Sequence, residues 1–377
     1  MKRILVILAL IISFVFFSTN VQGKSQIDFD DIYNSQLESS GAKKIAESLP
    51  KETLGSLNKL GIDKFDFKKV SKFSIIDFFK EALDISKESF SLPFNSLISV
   101  FAIVFLAFFS RFLNTQNKEL SKTSIAVCTL SLCFSVIIPI SKCINSALII
   151  IKTASSFVLC LAPVMATITI ASGKPLMASV YQTSILIFGQ VISFIAVNFL
   201  APFLNIILGI SIISTISQQI DLRKLCKEIC SGIKFILKTL SSTFVGIVTI
   251  QNAVAVSSDN IITNITKFTV DSCVPIVGTT LSSAVLAVQG CINLVKSTVG
   301  TFGIVAGIFI FLPILVKCVS WILFLKLGVG ISQMFGINKM VSLLDIAINV
   351  VSILFAFLVC TIVVLIISIG ILILIGG

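Results

Sequence analysis

The chain has 377 residues, 56% of them hydrophobic and only 12% charged, with a mean hydropathy of +1.06. Soluble domains carry about 25% charged residues, so half that density leaves too few polar groups to clothe a water-facing surface and excludes a soluble globular enzyme. The formal charge is +11 and there is no histidine, which removes zinc-protease helices, Ser-His-Asp and Cys-His dyads, and histidine proton relays.

Lys2 and Arg3 precede an apolar run at 4–17, and Val21-Gln22-Gly23 then supplies short side chains where a signal peptidase reads. That run is shorter than the roughly 20 residues a span needs. Residues 1–23 therefore read as a cleaved signal peptide, with a retained anchor as the alternative. Residues 24–93 hold eleven Lys and twelve of the eighteen acids, and are expected to form a small helical extracytoplasmic region. Pro50 opens a helix over 51–60, with Leu54, Leu57 and Leu60 at helical spacing and Gly61 as its stop. Ile75, Phe79, Ala82 and Ser86 share one face of a second helix, with Lys80, Asp84 and Lys87 on others. So short a region, without a disulfide, is marginal as an independent core, and packing on a partner or on the membrane surface is expected.

Beyond Pro93 only six acids remain, against sixteen Lys and Arg. Nucleic-acid binding is one reading of that balance; basic residues that set topology between apolar spans are the preferred one. Candidate spans run over 94–113, 124–141, 144–170, 176–199 and 201–219, about five within 94–220. Further candidates at 241–256, 274–298, 300–325 and 345–375 lie within a second membrane portion, 241–377. With 24–93 outside, the first crossing delivers Arg111, Lys118 and Lys122 to the cytoplasm. Further crossings return Lys174 to that side and then bring in Arg223, Lys224, Lys227, Lys234 and Lys238, as the positive-inside rule expects.

Residues 221–240 separate the two membrane portions. Leu222, Leu225, Ile229, Ile233, Ile236 and Leu240 make one stripe, and Arg223, Lys227, Lys234 and Lys238 another. This predicts a basic amphipathic helix in the cytoplasmic interface, held by anionic lipid; docking of a cytoplasmic partner is the alternative. Farther on, Gly300, Gly303 and Gly307, preceded by Gly278 and Gly290, predict close helix packing, with a lined conduit as the sharper reading. The ten cysteines sit almost wholly in apolar segments with no CxxC, and read as small buried hydrophobes. No P-loop and no carboxylate pair at catalytic spacing occurs, so no catalytic residue, metal or cofactor is expected. The polar candidates within the spans are Lys152, Gln190, Asn198, Gln251, Asp259, Asp271, Gln289, Lys296 and Lys317. Charges at membrane depth are costly and often functional. Asp259, Lys267 and Asp271 could instead occupy a solvated loop between two short hairpin helices, and Lys152 and Lys317 could snorkel.

Two blocks resemble the stage III sporulation protein AE family of endospore-forming bacteria. One runs from Ala162-Pro163-Val164 through Ala171-Ser172-Gly173-Lys174-Pro175 to Tyr181. The other runs from Phe244-Val245-Gly246 through Gln251, Asp259, Lys267-Phe268, Val274-Pro275-Ile276-Val277-Gly278, Leu281-Ser282 and Lys296 to Val299-Gly300 and Gly303. The family pattern has glycine after Gln251 and Asp259, where this chain has Asn252 and Asn260. It has an acidic residue where Ser283 stands, so no carboxylate role carries over to 283. The resemblance implies an all-α, polytopic membrane component of the channel-like complex between mother cell and forespore. It would sit in the outer forespore membrane, its N-terminal region facing the intermembrane space, and support forespore integrity and late forespore gene expression. Its implied partners are the other stage III sporulation AA–AH proteins, including a cytoplasmic ATPase, and a forespore membrane protein. An autonomous secondary transporter, with helices broken at Pro163, Pro175, Pro202, Pro275 and Pro313, is the competing reading. A membrane enzyme is the least supported.

Overall fold

The computed structural model describes residues 29–62, 75–113, 118–216, 223–273 and 278–375. The expected signal peptide and Pro275 lie outside these residues. The protein is all-α, with no strand among the described residues. Three short helices, α1 (Phe29–Ser39), α2 (Lys43–Glu47) and α3 (Lys51–Lys59), precede seven longer ones. These are α4 (Ile75–Leu113), α5 (Lys118–Ala171), α6 (Pro175–Ile195), α7 (Ala201–Ile216), α8 (Arg223–Cys273), α9 (Gly278–Met334) and α10 (Asn338–Ile375). A π-helical turn, Ala196–Leu200, joins α6 to α7. Pro202 has no N–H for the Asn198 carbonyl, and a widened turn just before it accommodates the loss.

Among the described residues, six helical segments are long and apolar enough to cross a membrane: Pro93–Leu113, Thr123–Ala171, Pro175–Ile213, Leu225–Asp259, Val288–Met334 and Asn338–Ile373. This corrects the expected span pattern. The stretches 124–141 and 144–170 are one helix, because Pro139 and Lys142 interrupt hydropathy without reversing the chain. In a packed bundle, neighbouring groups re-satisfy the backbone that a proline frees. Likewise 176–199 and 201–219 join through the π turn, and the basic stretch 221–240 continues into 241–256 as one helix, α8. Among the described residues of 241–298 there is no short hairpin: α8 runs to Cys273 and α9 starts at Gly278.

Merging these spans moves Lys174. Arg111 and Lys118 flank the start of α5 and Lys174 follows its end, 54 helical residues away, or about 80 Å at 1.5 Å per residue. At the Arg111 end, its guanidinium donates to the Gly336 carbonyl (3.2 Å) in the α9–α10 turn. Lys174 thus belongs to the opposite end from Arg111, and not to the same side as expected.

The N-terminal helices find their partner in their own chain. Leu37, Ile45, Leu49, Leu57 and Ile62 are buried and continuous with the core of the long helices. Helices α1 and α3 lie on α9, and α2 on α5. The start of α3 behind Pro50 and its stop at Gly61 (φ +71°) follow the sequence. Glu81 of α4 is buried and accepts from Ser56 Oγ (3.1 Å) and Lys59 Nζ (2.9 Å), tying α3 to α4. Pro93 lies inside α4, so the soluble and apolar parts share one rod.

Helix α9 is the hub, packing against α4, α5 and most extensively α10. A Cβ on Gly300 would stand 2.5 Å from Ile373 Cδ1, and one on Gly307 2.9 Å from Leu365 Cδ2. One on Gly303 would stand 3.0 Å from Leu161 Cδ2. Glycine at these three positions lets α9 approach α10 and α5 closely, as the spacing predicts. Gly290 differs, since nothing lies near its missing Cβ.

Candidate functional site: a helix capped from another helix

The α5–α6 turn is the centre of the site. Gly173 has φ +81°, and Lys174 N–H donates back to the Thr169 carbonyl (3.2 Å), closing α5 with a left-handed glycine cap. Lys174 is then the N-cap of α6 and Pro175 its first helical residue. Lysine has no acceptor for the orphan amides of a helix start, and proline has no amide. Two donors remain, on Leu176 and Met177. Both are satisfied from α8: Leu176 N–H donates to Asp259 Oδ1 (3.1 Å) and Met177 N–H to Oδ2 (2.8 Å). The next amide, of Ala178, donates to the Lys174 carbonyl (3.1 Å), so the helix start is complete.

Asp259 is fully buried, not part of a solvated loop. A carboxylate there is stabilised by two amides and by the positive end of the helix dipole. The Lys174 ammonium lies close enough to interact with it; burial pulls that lysine below its usual range, and Asp259 opposes the shift. Two turns back along α8, Ser184 Oγ donates to Gln251 Oε1 (2.8 Å). Farther along, Phe188 and Phe244 pack with ring centroids 4.4 Å apart. These three contacts zip α6 against α8 antiparallel.

The remaining candidates divide. Lys296 is fully buried on α9, near enough to Lys174 for the two charges to interact. Two turns earlier on α9, Gln289 Nε2 donates to the Ser172 carbonyl (3.4 Å) in the same turn. Gly300, one turn beyond Lys296, meets Ile373 and Met165. Asp271 and Gly278 are placed by backbone alone, in α8 and at the start of α9. Lys152 is exposed, Lys317 is half-buried, and Asn198 donates to the Phe194 carbonyl. In the basic segment Lys227 and Lys238 are exposed and Lys234 half-buried, while Arg223 and Lys224 are placed by backbone.

Sequence reading missed Ser184 and the pairing of Asp259 with the α6 amides. One signal was available: a Lys-Pro helix start with no acceptor implies a cap supplied from elsewhere. The structure thereby joins Lys174 and Pro175 to Gln251 and Asp259, residues 76 or more apart in sequence.

The family described as Stage III sporulation protein AE matches residues 54–376. The stage III sporulation protein AE of Bacillus subtilis (strain 168) is 25% identical over 253 residues, covering 66% of this chain and 62% of that protein. The match therefore takes in less than two thirds of that relative's length. No solved structure matches the chain.

Proposed function

The chain belongs to the stage III sporulation protein AE family, and from that premise we propose that it is a non-enzymatic membrane subunit of a channel- or secretion-like complex linking mother cell and forespore. It would act in forespore development and late forespore gene expression, from the outer forespore membrane. Its partners would be the other stage III sporulation AA–AH proteins, a cytoplasmic ATPase that supplies energy, and anionic lipid at the basic segment. The N-terminal region would face the intermembrane space and the Arg111 end the mother-cell cytoplasm.

The observation that carries the subunit reading is a contrast between two edge helices. Helix α4 exposes Phe94, Ile98, Phe101, Phe105, Phe109 and Phe112, a surface suited to acyl chains. Helix α8 also exposes large apolar side chains, among them Phe235, Ile236, Ile247, Ile250 and Val254, but interleaves them with a stripe of Gly232, Thr239, Ser242, Gly246, Thr249, Ala253 and Ser257, all exposed. From Gly232 to Ser257 is about 38 Å of helix, longer than a bilayer core of about 30 Å. Small and hydroxylated side chains in that register suit close approach by another helix better than lipid.

Cysteine cross-linking in sporulating cells tests this. Single cysteines at Gly246 and Ala253, in a Cys-free background, are expected to trap specific adducts with partner subunits, and cysteines at Phe101 and Phe105 are not. Equal yields from both helices would sink the reading. A secondary transporter remains the second reading, favoured by the buried Lys174–Asp259–Lys296 cluster. Proton- or sodium-coupled flux by the purified protein alone would establish it.

A further inference from the structure

The capped end of the bundle buries one ammonium group, that of Lys296, without an acceptor. The Lys296 side chain is 1% exposed, and its Nζ has no hydrogen-bond partner among the described residues. Its charged neighbour is the ammonium of Lys174, which adds repulsion. Asp259 is the carboxylate beside Lys174, and each of its oxygens already accepts an α6 amide. One turn before Lys296 on α9, Asn293 also has a buried Oδ1 without a partner. Turned over, that carboxamide presents its NH2 instead. A buried ammonium with no acceptor is among the costliest arrangements in an apolar interior, and an oxyanion supplies what is missing.

We propose that Lys296 and Lys174 together hold one phosphate-class oxyanion at this end of the bundle. Gln289 on the same α9 stretch donates to the Ser172 carbonyl of the turn, which sets Lys296 beside the Lys174 segment, and two ammonium groups can share one tetrahedral anion. The anion has two sources, a phospholipid headgroup or free phosphate. Exposed Ile170, Leu176 and Val254 flank the turn and place acyl chains beside it. The assignment is independent of the subunit reading above, since it concerns occupancy of this chain alone.

The test uses the full chain, purified and delipidated in detergent. Its thermal unfolding midpoint is followed against inorganic phosphate and against a short-chain phosphatidic acid, with chloride at matched ionic strength as the control. Binding to the folded state alone raises the midpoint saturably. The wild-type chain is expected to respond to at least one probe. Lys296→Met is expected to lose the response at least tenfold while unfolding no earlier than the unliganded wild type, and Lys174→Gln to weaken it at least threefold. A response to both probes assigns free phosphate, and one to the lipid alone assigns the headgroup. If Lys296→Met does not fold, Lys296→Arg must keep the response while Lys174→Gln loses it. The proposal is overturned if neither probe exceeds chloride, or if the folded lysine variants respond like wild type.

Discussion

Two helix pairs in this bundle are held by opposite means. Helices α9 and α10 meet through glycine on one side and Leu365, Ile369 and Ile373 on the other, carbon against carbon. Helices α6 and α8 meet through Asp259 on two amides, Ser184 on Gln251, and one aromatic pair. Burial follows the same division: 61% of the most apolar stretch of α10 is buried, against 11% for α8. Lipid gives apolar helices little reason to associate, so a central helix relies on fit over a large area, and a peripheral one on a few polar anchors. The anchors fix register; the fit fixes distance.

Substitution can break each mode separately. The largest effect is expected from Asp259→Ala, which strands two helix-start amides and the charge of Lys174, for a loss of about 3–5 kcal/mol. The thermal unfolding midpoint of the purified chain reads it, with Asp259→Asn losing less. Next comes Gly300→Ala, where Ile373 must move away from a new Cβ, at about 1–3 kcal/mol. If Gly300→Ala proved more damaging than Asp259→Ala, the anchor would be secondary to packing. A Ser184→Ala, Gln251→Ala double-mutant cycle is expected to return about 0.6 kcal/mol, and no more than about 1.7. The smallest effect lies outside both pairs. Lys43 holds the exposed Glu38 carboxyl below its ordinary value of 4.5. Its contribution is fully present above that value and is lost as pH falls through the depressed one. Lys43→Gln should therefore lower stability slightly at neutral pH and remove the slight acid-side slope.

Fold class and hydrophobic faces were legible because they rest on composition and on periods of a few residues. Pro50 and Gly61 bound α3 as their chemistry dictates. The span boundaries were not legible, because a lysine or proline within an apolar run looks the same whether the chain turns or continues. Lys142 and Cys143 read as a break between spans and lie mid-helix; Gly173 and Lys174 read as a turn and are one. What separates them is tertiary packing, with α5 lying against α4, α6 and α9, which local pattern does not contain. The site was half legible. Lys174, Gln251, Asp259 and Lys296 stood out as polar residues in apolar surroundings, but their meeting depends on how α8 lies along α6.

The two tallest helices carry a further consequence. Pro139 of α5 and Pro313 of α9 each remove one rung of backbone hydrogen bonding. Cys143 and Cys318, both buried in the core, lie four residues beyond one proline and five beyond the other. Helix α5 carries a second interruption at Pro163, ten residues before Gly173 of the capped turn. Bending of these two long rods is therefore expected at their three prolines rather than along their whole length, and one of those hinges lies just before the turn that Asp259 holds.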